Sequence, residues 1–214
     1  LDYHKDMKSY FNSKMYLFEK LLKEKSTVIT DEENEKFGIL NNILKKRKLK
    51  KITIGKDSGN LKILNHSYKK NKQIVKFSIN SKIFDLQIPL IGDFQIKNLF
   101  MAALAALYCG LKQNAVINSL AKIKPVEGRL ECIVNLKNNS NIILDFAHTP
   151  AALEQSLDAL KKHFKKEIII VFGCGGDRDK KKRLIMGKIS NKYCRKIFIT
   201  DDNPRHENPK KIRN

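Results

Sequence analysis

The second half of the sequence alternates apolar runs of two lengths, and this alternation restricts the folds that the chain can adopt. Short apolar runs predict strands, and longer runs with apolar residues three and four positions apart predict helices. The predicted strands are 130–136, 141–146, 168–172 and 196–200, and the predicted helices are about 150–164 and 182–193. Apolar strands that alternate with helices are typical of a mostly parallel sheet covered on both faces. We therefore predict an α/β fold for this part of the chain.

The first half of the sequence predicts a different order of elements. Helices are predicted at 5–24, 99–109 and 113–123, one short strand at 27–30, and several short strands within 51–90. Asp31 is expected to cap a helix after the first strand, and Gly92 is expected to open a loop. The pattern breaks at 124–129, which contains Pro125 and Gly128. We therefore predict two domains, 1–127 and 128–214.

The formal net charge of +21 invites comparison with nucleic-acid-binding proteins. However, the lysines are spread in runs at 45–51, 69–72, 161–166 and 180–183. Aromatic residues do not interleave with these runs, as stacking platforms for bases would require. We therefore predict solvated lysine-rich surfaces and no nucleic-acid partner. A basic nucleic-acid-binding module is the alternative from another functional class, and steeply salt-dependent DNA retention would indicate it.

Cysteine spacing and hydrophobicity indicate the compartment. The four cysteines are Cys109, Cys132, Cys174 and Cys194. They form no CxxC pair, which disfavours a zinc site and a disulfide framework. No apolar run approaches the roughly 18–20 residues that span a bilayer. We therefore predict a cytoplasmic protein with reduced cysteines and no membrane span.

Lys14 occupies an unusual position in the first predicted helix. Helical periodicity places it near the centre of the stripe formed by Met7, Phe11, Phe18 and Leu21. Buried lysines need a partner or lose their charge. The pattern leaves two interpretations open: a functional amine, or a lysine that extends its head group from the edge of the core into water.

Three segments with polar or glycine-rich sequences follow predicted strands, where ligands bind in parallel sheets. In 172–179 three glycines allow close backbone approach to a ligand, and Arg178 is able to pair with a carboxylate. A plain glycine turn is the alternative, and the spacing is not that of a Walker A loop. The segment 201–205 combines hydrogen-bond acceptors with a guanidinium, a mixture that suits a zwitterionic amino acid. A plain Asn-Pro turn is the alternative. The third segment, 145–150, holds Asp145 and His148, which alone are more typical of a structural role.

Together these segments resemble the Mur ligase family. The resemblance rests on Asp145-Phe146-Ala147-His148-Thr149-Pro150, Phe172-Gly173-Cys174-Gly175-Gly176-Asp177-Arg178-Asp179-Lys180 and Thr200-Asp201-Asp202-Asn203-Pro204-Arg205, with support from 1–14, 92–98 and 126–131. It covers nearly the whole chain and is weakest at 31–80. It implies the end of a central ATPase domain at 1–127, followed by a Rossmann-like carboxy-terminal amino-acid-binding domain at 128–214.

The resemblance also implies roles for individual residues. Lys14 would be carbamylated and would help hold Mg²⁺ beside the ATP phosphates. The implied ATP-binding residues are Asn98 at the adenine, Arg129 at the ribose, and Asp145 and His148. The implied diaminopimelate-binding residues are Arg178, Asp202, Asn203, Pro204 and Arg205.

The implied activity is ATP-dependent amide formation in peptidoglycan precursor synthesis. It would join meso-diaminopimelate to UDP-N-acetylmuramoyl-L-alanyl-D-glutamate through an acyl phosphate, with small molecules as the partners and a monomer as the acting species. Lysine-adding relatives usually differ at the Asp202–Arg205 motif, so Arg205 favours diaminopimelate. A lysine-adding ligase and a folylpolyglutamate synthetase-like ligase remain the enzyme alternatives.

The sequence departs from the family pattern at both ends. It opens on Leu1, and neither a nucleotide-sugar domain nor the phosphate-binding loop of the central domain is found in the 214 residues. It also stops before the expected end of the third domain. We therefore expect a piece of a longer protein that does not turn over substrate by itself, with a non-catalytic interaction domain as the alternative.

Overall fold

The computed structural model describes residues 4, 6–69, 72–138 and 140–214, which divide into two compact units. The first unit ends at Lys124, and the second begins at Pro125. The predicted motif segment at Leu1, Asp2, Tyr3 and Lys5 lies outside the described residues. The assignment of 1–127 and 128–214 to two functional domains remains a prediction.

The first unit contains helices and one sheet. Its elements are α1 (Met7–Tyr16), a π-helical turn (Leu17–Leu21), β1 (Thr27–Asp31), α2 (Phe37–Lys46), β2 (Lys50–Gly55), β3 (Leu61–Lys69), β4 (Lys72–Ile79), β5 (Lys82–Ile88), α3 (Asp93–Tyr108) and α4 (Gln113–Leu120). The strands lie in the order β1-β2-β3-β4-β5. The pairs β1–β2 and β2–β3 are parallel, and β3, β4 and β5 form antiparallel pairs.

Alternation along β4 produces the main core of this unit. Val75, Phe77 and Ile79 point to one face and are buried. The Phe77 ring lies 4.6 Å from the Phe100 ring of α3, centroid to centroid, and both side chains are fully buried. Burial of such a side chain contributes roughly 1.5–3 kcal/mol, so this contact fixes α3 on the sheet.

The segment after Gly92 is helical, which corrects the predicted loop. Gly92 has φ +95° and immediately precedes α3, whose first residue is Asp93. A positive φ is available to glycine at little cost, so Gly92 turns the chain sharply from β5 into the helix. Asn98 therefore lies on α3. The prediction that Asp31 caps a helix is also wrong. Asp31 ends β1, and α2 begins at Phe37 with no side-chain cap.

The buried side chain of Gln73 on β4 holds the chain just before α3. Its Nε2 donates to Leu90 O at 2.7 Å and to Gly92 O at 3.2 Å. Its Oε1 accepts from His66 Nε2 at 2.7 Å. A buried amide needs such partners because an unpaired polar group costs about 1–3 kcal/mol. The network therefore fixes where α3 begins.

The helix that carries Lys14 is shorter and more exposed than its periodicity predicts. It runs as an α-helix from Met7 to Tyr16 and then widens into the π-helical turn, in which Leu22 N donates to Leu17 O. None of the residues 7–21, all of which are described, is buried. The π-helical turn changes the α-helical spacing from Leu17 onward.

The second unit contains the predicted alternation of strands and helices. Its elements are β6 (Glu131–Asn135), β7 (Asn141–Leu144), α5 (Pro150–Phe164), β8 (Ile169–Phe172), α6 (Lys181–Tyr193), β9 (Lys196–Ile199) and α7 (Pro209–Arg213). The pair β8–β9 is parallel, as expected for this part, while β6–β7 is antiparallel. The helix predicted at 150–164 is confirmed, with the Thr149 hydroxyl accepting from Ala152 N at its start and Pro150 in its first turn.

The core of the second unit lies between its two long helices and β8. Leu153 and Leu157 of α5 pack with Met186 and Ile189 of α6 and with Cys174. Several strand side chains stay exposed, among them Val171 at 66% and Ile169 at 62%. Within the described ranges, no helix is both long and apolar enough to cross a lipid bilayer.

Replacement of Gln73 tests the network before α3. We expect Gln73→Ala to lower the free energy of unfolding by about 2–3 kcal/mol, because it leaves a void and unpaired carbonyl oxygens. Hydrogen exchange of α3 amides in urea measures this unit separately. Gln87→Ala on the neighbouring strand is the control, since Gln87 is exposed. Equal protection of α3 in both variants would contradict the role of Gln73.

Candidate functional site

Two of the predicted segments meet at the carboxyl ends of β8 and β9. The strands pair in parallel with Phe172 opposite Ile199, so the residues that follow each strand leave the sheet side by side. Thr200 N continues the ladder by donating to Phe172 O at 3.0 Å. We call residues 173–179 the glycine loop and residues 201–205 the Asn-Pro loop. The sequence-predicted residues Arg178 and Asp202–Arg205 are thereby brought to one edge.

Glycines let the two loops touch through their backbones. A Cβ atom at Gly176 would lie 1.8 Å from Pro204 O, and one at Gly173 would lie 2.7 Å from Thr200 O. Gly176 N donates to Asn203 O at 2.9 Å. A Cβ at Gly175 would meet nothing closer than 3.5 Å. Two of the three glycines are therefore required for contact between the loops, a use that the sequence pattern did not reveal.

The arginines of the two loops are exposed at this edge. Arg205 has the left-handed φ of +48°, its N–H donates to Asn203 Oδ1 at 3.3 Å, and its Nη1 donates to Gly176 O at 2.5 Å. Arg178 is also exposed, as are Asp202 and Asn203. Exposed guanidinium groups on touching loops are suited to bind a carboxylate through paired hydrogen bonds.

Glu207, which sequence reasoning missed, connects the loops to α6. Its carboxylate accepts from Arg183 Nη1 at 3.0 Å and Arg183 Nη2 at 2.8 Å. It also accepts from Asp177 N at 2.7 Å. The hydrogen bonds from Arg183 lower the pKa of Glu207 from 4.5 to about 2. Because the folded-state pKa is lowered, the ionised carboxylate stabilises the fold at neutral pH, and this contribution is lost as pH falls below about 4.5 toward 2.

Asp145 organises the segment after β7. Its Oδ2 accepts from Leu130 N at 2.9 Å, and its Oδ1 accepts from Ala147 N at 3.0 Å and Ser156 Oγ at 2.9 Å. Leu130 has the left-handed φ of +47°, so this hydrogen bond holds a conformation that is unfavourable for leucine. The observed contacts of Asp145 are structural, and its contact with ATP remains a prediction.

His148 and Arg129 flank Asp145 in the same unit. The exposed His148 ring donates from Nδ1 to Phe146 O at 3.1 Å, and His148 O accepts from Lys182 Nζ at 2.9 Å. The Arg129 guanidinium lies 5.9 Å from the centroid of the Phe146 ring. A Cβ at Gly128 would lie 2.3 Å from that same ring. Arg129 and His148 thus both contact Phe146, the residue after Asp145, and their role at ATP remains a prediction.

Asn98 lies on the exposed side of α3, beside a charged cluster. Lys97 Nζ lies 2.7 Å from Asp31 Oδ2 and 2.7 Å from Glu33 Oε2. Partial burial acts to lower the pKa of Lys97, but the hydrogen bonds that it donates to both carboxylates outweigh this and raise it above its ordinary value. Since the pKa is raised, the stabilisation from this cluster persists below the ordinary lysine pKa and is lost only as pH rises above it.

Lys14 is exposed on α1. Its Nζ lies 4.6 Å from the centroid of the Tyr10 ring. Arg47 anchors the end of the same helical segment by donating to the carbonyl oxygens of Glu19 and, at 2.7 Å, Leu22. Periodicity placed Lys14 on an apolar face, but no residue of α1 is buried, so the predicted role of Lys14 rests on the family resemblance.

The residues present fit ATP and Mg²⁺ in different ways. The exposed Asn98 amide offers a donor and an acceptor, as an adenine edge requires. In the part of the chain that the structure describes, no cluster of three or more His, Cys, Asp or Glu side chains could hold a metal ion. Mg²⁺ usually takes few protein ligands and binds through substrate phosphates, so the carbamate predicted at Lys14 would suffice as a protein ligand.

Sequence comparison matches each part of the chain to a known domain family. The Mur ligase middle domain matches residues 1–106, and the Mur ligase glutamate ligase domain matches residues 128–214. The chain is 40% identical to the proteins named UDP-N-acetylmuramoyl-L-alanyl-D-glutamate–2,6-diaminopimelate ligase from Rickettsia typhi and Rickettsia prowazekii. These matches cover 100% of this chain but 43% and 44% of the relatives, so the chain spans less than half their length.

Solved structures agree on the fold. A structure of a UDP-N-acetylmuramoyl-L-alanyl-D-glutamate–2,6-diaminopimelate ligase matches with a TM-score of 0.63 and 27% identity, over 98% of this chain and 43% of that one. The Acinetobacter baumannii ligase that adds D-alanyl-D-alanine matches with a TM-score of 0.67 and 14% identity, over 91% of this chain and 43% of that one. The predicted α/β fold class and the predicted family are thereby confirmed.

Glycine replacements test the contact between the loops. We expect Gly176→Ala to destabilise the second unit by about 1–3 kcal/mol, because the added methyl group forces Pro204 away. Gly175→Ala is the matched control, since its methyl group fits. Hydrogen exchange of amides in both loops during urea unfolding measures the difference. If amide exchange in the loops is the same in both alanine variants, the loops do not depend on the close approach of Gly176 to Pro204.

Proposed function

This chain belongs to the Mur ligase family, and from that premise we propose that the whole protein is an ATP-dependent ligase for peptidoglycan precursors. It joins meso-diaminopimelate to UDP-N-acetylmuramoyl-L-alanyl-D-glutamate. The identity of 40% with ligases of that name supports the proposal. The first unit contributes to ATP binding, and the second unit binds the incoming amino acid.

The contact between the glycine loop and the Asn-Pro loop is the observation that carries this proposal. It puts Arg178 and Arg205 on touching loops at the ends of parallel strands. Diaminopimelate has a second carboxylate at its distal end, which lysine lacks. A guanidinium matches a carboxylate in shape as well as charge, so this edge suits diaminopimelate better than lysine.

The reaction proceeds in two steps. The γ-phosphoryl group moves from ATP to the glutamate carboxylate of the nucleotide dipeptide, giving an acyl phosphate and ADP. The amino group of diaminopimelate then attacks the acyl carbon, loses a proton, and displaces inorganic phosphate to form the amide. In this chain Arg178, Arg205 and the Asp202–Pro204 segment hold the amino acid so that its amine faces the acyl carbon.

The ATP-facing residues of this chain are Asn98, Arg129, Asp145 and His148. We assign Asn98 to the adenine, Arg129 to the ribose, and Asp145 and His148 to the same nucleotide. Bound magnesium supplies positive charge to the phosphoryl oxygens. The exposed amine of Lys14 is accessible to carbon dioxide, with which it forms a carbamate and releases a proton. We expect the protein to act in the cytoplasm and as a monomer.

A coupled assay on the whole protein tests the proposed reaction. ADP release and amide formation are measured with ATP, magnesium, the nucleotide dipeptide, and either diaminopimelate or lysine. We expect equal amounts of ADP and amide with diaminopimelate, and little of either with lysine. ADP release without amide formation, or equal use of lysine, would reject the proposed substrate.

Lys14→Ala tests the proposed carbamate. Without the amine no carbamate forms, so we expect ligation by the whole protein to be lost and not to be restored by added bicarbonate. Lys8→Ala is the control, because Lys8 is an exposed lysine on the same helix. Full ligation by Lys14→Ala would reject this role.

Arg205 replacements test the choice of amino acid. A charged hydrogen bond contributes about 1.5–3 kcal/mol, so loss of the guanidinium is expected to raise the Michaelis constant for diaminopimelate roughly 10- to 100-fold. Arg205→Ala and Arg205→Lys are compared with Arg195→Ala, which removes an exposed guanidinium paired with Glu167. The Michaelis constant for ATP is expected to change little. An unaltered preference for diaminopimelate over lysine in Arg205→Ala would contradict the assignment.

A further inference from the structure

The Glu207 carboxylate accepts hydrogen bonds from a guanidinium and from a backbone N–H, and it also lies near an ammonium group. Its Oε1 accepts from Asp177 N at 2.7 Å and Arg183 Nη2 at 2.8 Å, and its Oε2 accepts from Arg183 Nη1 at 3.0 Å. Lys180 Nζ lies 3.4 Å from Oε2. The side chains of Glu207 and Arg183 are each 15% exposed.

The Glu207–Arg183 ion pair is much less exposed than an ordinary surface pair. Glu167 and Arg195 also form an Arg–carboxylate contact, at 2.6 Å, but their side chains are 68% and 71% exposed. Surface pairs contribute little because water screens them and both side chains lose freedom. A largely buried, bidentate pair with an added backbone donor restricts the position of the carboxylate more strongly. Glu207 therefore has the contacts needed to set a local conformation.

The conformation that Glu207 sets is that of Asp177, the residue before Arg178. Asp177 has a φ of +52°, in the left-handed region that L-residues with side chains rarely adopt. Its N–H is bound by Glu207, and its Oδ2 accepts from His206 Nδ1 at 2.7 Å and His206 N at 3.3 Å. Residues 206 and 207 thus hold the backbone from which Arg178 projects.

Glu207 and Arg183 also contact the backbone around Arg205. Glu207 N donates to Pro204 O at 3.0 Å, which closes a turn around Arg205. Arg183 Nη2, while bound to Glu207, also lies 3.3 Å from Gly175 O, and Arg205 Nη1 binds the next carbonyl, Gly176 O, at 2.5 Å. Arg178 is thus connected to the Glu207 carboxylate through Asp177 N, and Arg205 is connected to Glu207 through the backbone N–H of Glu207 and through the contact of Arg183 with the glycine loop.

We propose that Glu207 is a positioning residue for amino-acid binding, which fixes the glycine loop and the Asn-Pro loop so that Arg178 and Arg205 meet the carboxylates of the incoming amino acid in one geometry. This inference rests on the proposed function. The Glu207 carboxylate acts through Arg183 and through Asp177 N, to which it is hydrogen-bonded. Its loss therefore weakens amino-acid binding while the nucleotide-binding residues of the chain stay in place.

Glu207→Gln in the whole protein tests this inference, because the amide keeps the size of the side chain but cannot pair with Arg183 as an ion. We expect the Michaelis constant for diaminopimelate to rise about tenfold or more, with the constants for ATP and the nucleotide dipeptide changing less than about twofold. Glu167→Gln is the matched control, since it breaks an exposed Glu–Arg pair. Amide exchange in the two loops is expected to quicken only in Glu207→Gln.

A double-mutant cycle with Arg183→Gln separates positioning from general loss of structure. If Glu207 acts through Arg183, each single variant raises the diaminopimelate constant, and the double variant raises it no further. Additive effects, or equal rises in the constants for all three substrates, would overturn the inference. Wild-type kinetics in Glu207→Gln would overturn it while leaving the proposed function intact. A wild type that does not ligate diaminopimelate would instead overturn the proposed function, and this inference with it.

Discussion

Direct backbone contact between the glycine loop and the Asn-Pro loop underlies the arrangement of the second unit's polar edge. The contact requires the absence of a side chain at Gly173 and Gly176, because a Cβ at either position would overlap the facing backbone. Parallel pairing of β8 and β9 brings the loops side by side, and hydrogen bonds then hold Asp177 and Arg205 in left-handed conformations. Such conformations cost of order 1–3 kcal/mol each and persist only where the surroundings enforce them, which is what rigid substrate recognition requires.

In the first unit, a buried side chain fixes the position of a turn. Gln73 has its amide group satisfied by two backbone carbonyls and by His66, so the turn at Gly92 has a fixed position on the sheet. Packing of Phe100 against Phe77 then fixes the rest of α3. Asn98 is consequently carried by a helix whose start and middle are both held. Residues on rigid elements keep a geometry that loops would lose, so the contact proposed for Asn98 would be made from a fixed position.

The sequence predicted most elements of the second unit, because long apolar runs and the Thr149-Pro150 helix start are strong local signals. It placed the chemistry-bearing residues 173–179 and 201–205 at strand ends, where the structure brings them together. Its failures have physical causes. A polar residue in an alternating strand, such as Gln73, is normally read as solvent-facing, and a glycine such as Gly92 is normally read as a loop. No residue of α1 is buried, so the apolar stripe on which Lys14 was placed does not face a core. Glu207 and Arg183 meet only in the folded state, across 24 residues of sequence.

The interlocked loops also constrain how such a binding edge could be altered, by selection or by design. Because Pro204 O occupies the space where a Cβ of residue 176 would lie, neither loop can change its backbone course alone without colliding with the other or leaving a gap. A change in the backbone of residues 173–179 would therefore require a matching change in residues 201–207. Grafting a new amino-acid preference into this framework would mean exchanging both segments together, along with the position equivalent to Arg183, instead of altering single contact residues one at a time.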